Sequence, residues 1–146
     1  MDVLTLLRSK NRCLLRFEQA SLRFLGETEG AAVAAVETSL PKLERSRSRI
    51  LKALGMFDRK LDSAIGALTD EARTEAFLAD VRSEAAETDR IVAELLKLDE
   101  SVVARIQECR ERIAVELAAS EKSKQLVGKF KSEWAGTSGE EIDRKL

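Results

Sequence analysis

The sequence predicts an all-α protein, an elongated antiparallel helical hairpin or bundle with coiled-coil character. Ala, Leu, Glu, Lys and Arg dominate the 146 residues, whereas Pro occurs once, Tyr and His are absent, and aromatic residues make up only 4%. These are the residues that favour helices over sheets. Apolar residues also recur at helical spacing, in one stretch every 3.5 residues. The length suits a single helical domain, residues 1–146.

A short N-terminal helix is predicted over residues 1–25. Gly26 and Gly30 enclose a polar run that ends this helix and forms a short connection. Apolar residues within the helix recur at sums of three and four positions, as on one amphipathic face: Val3, Leu7, Leu14, Phe17 and Phe24.

A long helix is predicted over residues 31–68, with a break or kink near Pro41. Pro41 has no amide hydrogen to donate, so the helix either restarts near Thr38 or Ser39 or continues with a kink. Arg47 alone interrupts the apolar seam, and its long stem is expected to carry the charge out to solvent. The seam follows alternating steps of four and three: Val36, Leu40, Leu43, Arg47, Ile50, Leu54, Phe57, Leu61, Ala64 and Leu68.

Residues 70–134 are predicted to hold an acidic helix and a long C-terminal helix. The boundary falls at Gly66 and the pair Thr69 and Asp70. The stretch from Glu71 to Asp89 has few large apolar residues, which fits either a helix of modest burial or a partly ordered arm. A second apolar stripe follows it: Ile91, Leu95, Leu98, Val102, Ile106, Cys109, Ile113 and Leu117.

Opposite charges favour antiparallel packing of these two long helices. Residues 42–60 contain seven basic and two acidic residues, net +5, and residues 70–100 contain ten acidic and four basic residues, net −6. Exposed ion pairs contribute only about 0.2–1 kcal/mol each, so they select orientation and the seam supplies stability. Basic residues expected to pair in this way are Lys42, Arg45, Arg49, Lys52 and Arg59.

The composition gives no support for an enzyme. Histidine, the commonest general base and metal ligand, is absent, and Cys13 and Cys109 belong to no CxxC pair. Both thiols are expected to be small buried groups. Gly-rich phosphate loops are also lacking, so no catalytic, cofactor-binding or metal-binding residue is predicted. The net charge of −1 favours neither nucleic acid nor membrane insertion as a partner.

We expect a soluble, cytoplasmic protein, because the start lacks a signal peptide's apolar core and no stretch approaches about 20 apolar residues.

Leu126, Val127, Phe130 and Trp134 are the candidate partner-binding residues. They form a small amphipathic stretch among lysines, and Trp is enriched at protein-binding anchors. The alternative is that this stretch folds back and caps the end of the bundle. Residues 135–146 are predicted to be a flexible tail.

This helix order resembles that of flagellar type III export chaperones of the FlgN and FliT type. The resemblance covers essentially the whole chain and includes the break from Gly26 to Gly30. Two short segments also match: the Arg-rich start of the second long element (Arg45, Arg47, Arg49, Ile50 and Leu51) and the closing tetrapeptide Ile142, Asp143, Arg144 and Lys145.

The resemblance implies a non-enzymatic chaperone that binds a hook-filament junction or cap protein by helix-helix capture before export. It also implies a contact with the export gate through a C-terminal aromatic, often Tyr, and Phe130 occupies the comparable stretch here. Two alternatives remain open on the sequence. One is a structural coiled-coil protein that forms homo-oligomers, and the other is a helical nucleic-acid-associated protein that uses the face from Lys42 to Arg59.

Overall fold

The computed structural model describes the backbone of residues 1–134 and the side chains of residues 1–132. Within this range the chain forms three α-helices and no strand: α1 is Val3–Glu27, α2 is Val33–Gly66 and α3 is Glu75–Trp134. The all-α prediction is confirmed. The predicted flexible tail, residues 135–146, lies outside the described residues.

The chain divides into two compact units, Met1–Gln107 and Glu108–Leu146. The first unit contains α1, α2 and α3 up to Gln107. The described part of the second unit is the remainder of α3.

Asp2 and the turn after Glu27 set the ends of α1. The Asp2 carboxylate accepts a 2.7 Å hydrogen bond from the Thr5 amide, as an N-cap does. At the other end the Thr28 amide donates to the Phe24 carbonyl over 3.0 Å. The chain then reverses through Gly30 and Ala31, whose φ angles are +82° and +53°. Glycine suits this left-handed conformation because it has no Cβ.

Pro41 lies inside α2, which is continuous from Val33 to Gly66 and does not restart near Thr38 or Ser39. The proline is exposed, so the carbonyl group that it leaves without an amide partner is on the side of the helix open to water. Every apolar residue of the predicted seam is buried or half-buried.

Helix α3 begins at Glu75, later than the predicted boundary at Thr69 and Asp70. The reason is local: the Thr74 hydroxyl accepts a 3.1 Å hydrogen bond from the Phe77 amide, whereas the Thr69 hydroxyl accepts from Ala72 within the preceding turn. The stripe predicted along α3 is buried or half-buried as far as Ile113, but Leu117 is 61% exposed.

Three apolar clusters run along the first unit, and each includes residues of all three helices. Residue numbers rise from cluster to cluster in α1 and α3 but fall in α2, so α2 is antiparallel to both. The predicted antiparallel pairing of the two long helices is therefore confirmed, with α1 as a third member. The clusters centre on Val3, Leu6 and Leu61, on Leu14, Phe17, Ile50, Ile91 and Leu95, and on Phe24, Leu43 and Val102.

Polar contacts fix α1 along α3. The buried Asn11 amide nitrogen donates to the Glu84 carbonyl (3.1 Å) and carboxylate (3.0 Å), while the Thr88 hydroxyl donates to the Asn11 amide oxygen (2.5 Å). Further along, the Arg105 guanidinium donates to the Leu25 carbonyl (2.8 Å) and the Thr28 hydroxyl (3.0 Å). Because buried polar groups need partners, these bonds select one axial register.

The predicted charge pairing between α2 and α3 is largely wrong. Among the described residues, the ion pair that joins these helices is Arg47–Asp99, with 3.5 Å between nitrogen and oxygen. The five basic residues expected to pair with α3 are exposed and make no ion pair with a described residue. Apolar packing and α1–α3 hydrogen bonds hold the helices together instead. Cys13 and Cys109 are buried and free, as predicted.

Candidate functional site

The predicted partner-binding residues lie on α3 within the second unit. Leu126, Val127 and Phe130 are 65%, 51% and 65% exposed, and lysines surround them. Leu126, Phe130 and Trp134 follow one another at steps of four, so their Cα positions share one helix face. The backbone of Trp134 is helical, but its side chain lies outside the described residues. The three described side chains are thus accessible to a partner.

A second apolar surface, which we call the open flank, lies on the α2–α3 hairpin of the first unit. Its six side chains are between 38% and 62% exposed. Each directly follows a packed residue in the chain, as Leu51 follows Ile50 and Val92 follows Ile91. The open flank consists of Leu51 and Ile65 on α2 and Leu78, Val92, Leu96 and Val103 on α3.

Register places these six residues on one side of the hairpin. A step of one residue rotates a side chain by about 100° about the helix axis. In an antiparallel helix pair, the positions just after the core on both helices lie along the same edge of the interface. Leu51 and Ile65 are two heptads apart, and so are Leu78 and Val92. The open flank is therefore an apolar edge shared by two helices.

Helix α1 covers the opposite edge of the same hairpin. On α2, the buried Ser39 hydroxyl donates to the Glu27 carboxylate of α1 over 2.9 Å. On α3, Glu84 and Thr88 bond Asn11 of α1. The hairpin thus has one edge covered by α1 and one edge, the open flank, that α1 reaches through the Lys10 side chain.

Two ion pairs occupy the open flank. Leu51, Asp58 and Ile65 are seven residues apart, and the Lys10 ammonium of α1 reaches Asp58 over 2.7 Å. Arg47 pairs with Asp99, which is seven residues after Val92.

The Arg47 guanidinium carbon also lies 5.4 Å from the centroid of the Phe17 ring. The Arg47 side chain is exposed and pairs with Asp99, so its stem carries the charge out of the seam, in agreement with the sequence prediction.

Three solvent-accessible groups, Asp2, Glu87 and Arg90, have shifted pKa values. The Thr5 amide lowers the pKa of the Asp2 carboxyl through its hydrogen bond. Arg90 lowers the pKa of Glu87, and Glu87 raises the pKa of Arg90, through a hydrogen bond of 2.6 Å. These groups do not converge on a common cleft, which is where catalytic residues with perturbed pKa values gather.

Residues 1–132 contain no cluster of three or more Cys, Asp or Glu side chains that could hold a metal ion. No described helix is both long enough and apolar enough to cross a lipid bilayer.

Sequence reasoning identified the stretch from Leu126 to Trp134 but missed the open flank. The predicted seam and stripe assigned no role to the apolar residues that directly follow their members. Their signal was a repeat: Leu51 and Ile65 on one helix, Leu78 and Val92 on the other, each pair separated by fourteen residues. That repeat indicates a surface shared by both helices only once they are known to be antiparallel neighbours.

No protein-family model, curated protein or solved structure matches this chain.

Proposed function

We propose that this protein is a non-enzymatic cytoplasmic chaperone that binds an amphipathic helix of a protein destined for export. The open flank is the observation that carries the proposal. Six exposed apolar side chains line one edge of a helical hairpin whose other edge already packs against α1. A partner helix on the open flank would complete a four-helix bundle, in which the apolar edge is buried.

The resemblance to flagellar export chaperones supplies the identity of the cargo, a hook-filament junction or cap protein. Such proteins assemble through amphipathic helices that would aggregate if left exposed, so a removable cover is useful before export. Phe130 would contact the export gate, since it lies where that family carries an aromatic residue.

The energetics suit reversible capture. Fully burying a leucine or valine stabilises by about 1.5–3 kcal/mol, and the open-flank side chains are only partly exposed, so each would contribute roughly half of that. Association also costs at least several kcal/mol of translational and rotational freedom. The six side chains together supply about 4.5–9 kcal/mol before this cost, so we expect an affinity of about 1 µM or weaker, which permits release of the cargo.

Calorimetric titration with synthetic helical peptides from the flagellar axial proteins of the same genome tests this proposal. We expect one peptide to bind at one per chain. The double variant Leu51→Glu with Leu96→Glu should lose at least tenfold in affinity, because two carboxylates would be buried against the apolar face of the peptide. Trp134→Asp tests whether the predicted C-terminal site takes part.

Leu22→Glu is the matched control, because Leu22 is 50% exposed on α1 and belongs to neither surface. It should bind the peptide as the unmodified protein does. If none of the peptides binds, the chaperone proposal is wrong. A stable assembly of the protein alone by light scattering, dissociated by Leu51→Glu with Leu96→Glu, would instead support the coiled-coil oligomer.

A further inference from the structure

A basic face runs along α1 and α2 of the first unit and includes no residue of the open flank. All of its nine cationic side chains are exposed, and none makes an ion pair with a described residue. The basic face consists of Arg12, Arg16 and Arg23 on α1 and Lys42, Arg45, Arg49, Lys52, Arg59 and Lys60 on α2.

The α1–α2 packing brings the two rows of charge together. Arg23 and Lys42 line the same small cavity between α1 and α2, and Arg59 and Lys60 line a second cavity with Leu6 of α1 at the other end of the interface. Neighbouring helix axes are about 8–10 Å apart. The row on α2 spans about 27 Å, at 1.5 Å per residue.

Acidic groups offset only part of the charge on this face. Glu27 lines the cavity with Arg23 and Lys42, and its carboxylate accepts a hydrogen bond from Ser39, so one acidic group lies beside these two cations. Asp62, three residues after Arg59, is a second acidic residue exposed on α2. Glu44 and Asp58 of α2 share the heptad register of Leu51, so they belong with the open flank. Like charges at steps of three and four along a helix are destabilising, as for Lys42, Arg45 and Arg49. Folding alone does not favour such a row.

We propose that the basic face binds the phosphate backbone of duplex nucleic acid without sequence preference. Two exposed apolar side chains, Met1 and Met56, lie beside this face, and both line the cavity with Arg59 and Lys60 at one end. Along the rest of the face a protein partner would find no large apolar anchor. Interfacial membrane helices pair a basic face with an apolar one, and this face presents few apolar side chains. Phosphate groups need only positive charge, and two parallel rows of cations can contact phosphates on both strands.

This inference is independent of the proposed chaperone function, because it uses a different surface. The sequence pointed only to the row on α2, and that row was expected to pair with the acidic helix. The structure removes that pairing and adds three arginines from α1.

Fluorescence anisotropy with a labelled 20-base-pair DNA duplex tests the proposal in the full chain. We expect binding at 50 mM salt that weakens by about 10²–10³-fold at 200 mM, as four to six phosphate contacts would give. The double variant Arg16→Glu with Arg49→Glu should weaken binding at 50 mM by at least tenfold, and a scrambled duplex should bind as well as the original.

The matched control is Arg82→Glu with Lys97→Glu, which makes the same change in net charge on exposed residues of α3. It should keep most of the affinity. No binding of the duplex at 50 mM salt would overturn the proposal, as would an equal loss in both double variants. Binding to vesicles with 30% anionic lipid but not to the duplex would also overturn it, in favour of a membrane partner.

Discussion

The two edges of the α2–α3 hairpin carry different kinds of side chain. The edge covered by α1 is rich in polar groups, with Ser39, Glu84 and Thr88 all hydrogen-bonded to α1. The open flank, by contrast, carries six large apolar side chains. Apolar clusters hold α1 against the hairpin, and the hydrogen bonds fix where α1 lies along it. The open flank is left without such a covering helix.

That difference suggests a division of labour between the edges. A buried polar network tolerates only one arrangement, because each unpaired group costs free energy, so it suits a permanent intramolecular contact. An apolar edge tolerates several partners and registers at modest cost, so it suits a contact that must form and dissociate.

The largest expected effect comes from two adjacent residues of α3, one in the core and one on the open flank. Ile91 is fully buried in the middle cluster, so Ile91→Ala should lower the free energy of unfolding by about 2–5 kcal/mol. Val92→Ala should change it by less than about 0.5 kcal/mol. Urea denaturation followed by circular dichroism measures both. Similar losses of unfolding free energy in the two variants would mean that Val92 is packed like Ile91 and is not part of an exposed surface.

A smaller loss of unfolding free energy is expected from a substitution where α1 covers the edge of the hairpin. Asn11→Ala removes one of the donors to the Glu84 carboxylate and one of the acceptors of the Thr88 hydroxyl, which should cost about 1–3 kcal/mol of unfolding free energy. Arg8→Ala is the control, since Arg8 makes an exposed ion pair with the same Glu84 and should cost at most about 1 kcal/mol. Equal costs would show that charge, and not the buried amide, holds α1 in place.

Substitutions on the open flank should barely affect stability but should change surface behaviour. Leu51→Glu and Leu96→Glu should each alter the free energy of unfolding by less than about 0.5 kcal/mol, because both side chains are mostly exposed. The fluorescence of a hydrophobic dye bound to the folded protein should fall in the double variant, relative to Leu22→Glu. A dye signal that does not change would indicate that these residues do not form one apolar surface.

The smallest expected effect concerns the pH dependence of stability, through the Asp2 cap at the start of α1. The pKa of Asp2 is lowered in the folded protein, so its N-cap stabilises above the ordinary carboxyl pKa and is lost as the pH falls through the lowered value. Asp2→Ala should therefore lower the unfolding midpoint at pH 7, and the difference should vanish in strong acid. A difference that persists at pH 2 would contradict an ionised cap.

Local sequence signals sufficed for the elements of the fold but not for their contacts. The 4,3 spacing from Val36 to Leu68 gave the buried side of α2 correctly, because helical periodicity depends only on the chain itself. Charge sums predicted pairing between α2 and α3 that is mostly absent, because a sum ignores the side of the helix on which each charge lies. The exposed apolar residues from Leu126 to Phe130 are recognisable in the sequence because they are close together along the chain, and their role in partner binding stays a prediction.

The sequence by itself determined that this protein is helical, where α1 and α2 lie and which of their faces are apolar, since propensity, periodicity and capping act over a few residues. The tertiary structure alone decided that α1 packs on the polar edge of the hairpin, that six apolar residues line the other edge, and that nine cations of two helices share one face. Those features depend on the relative rotation and register of neighbouring helices. Contacts between residues some 50 to 80 positions apart, such as Arg47–Asp99 and Asn11–Glu84, fix them in space, and no local pattern encodes such contacts.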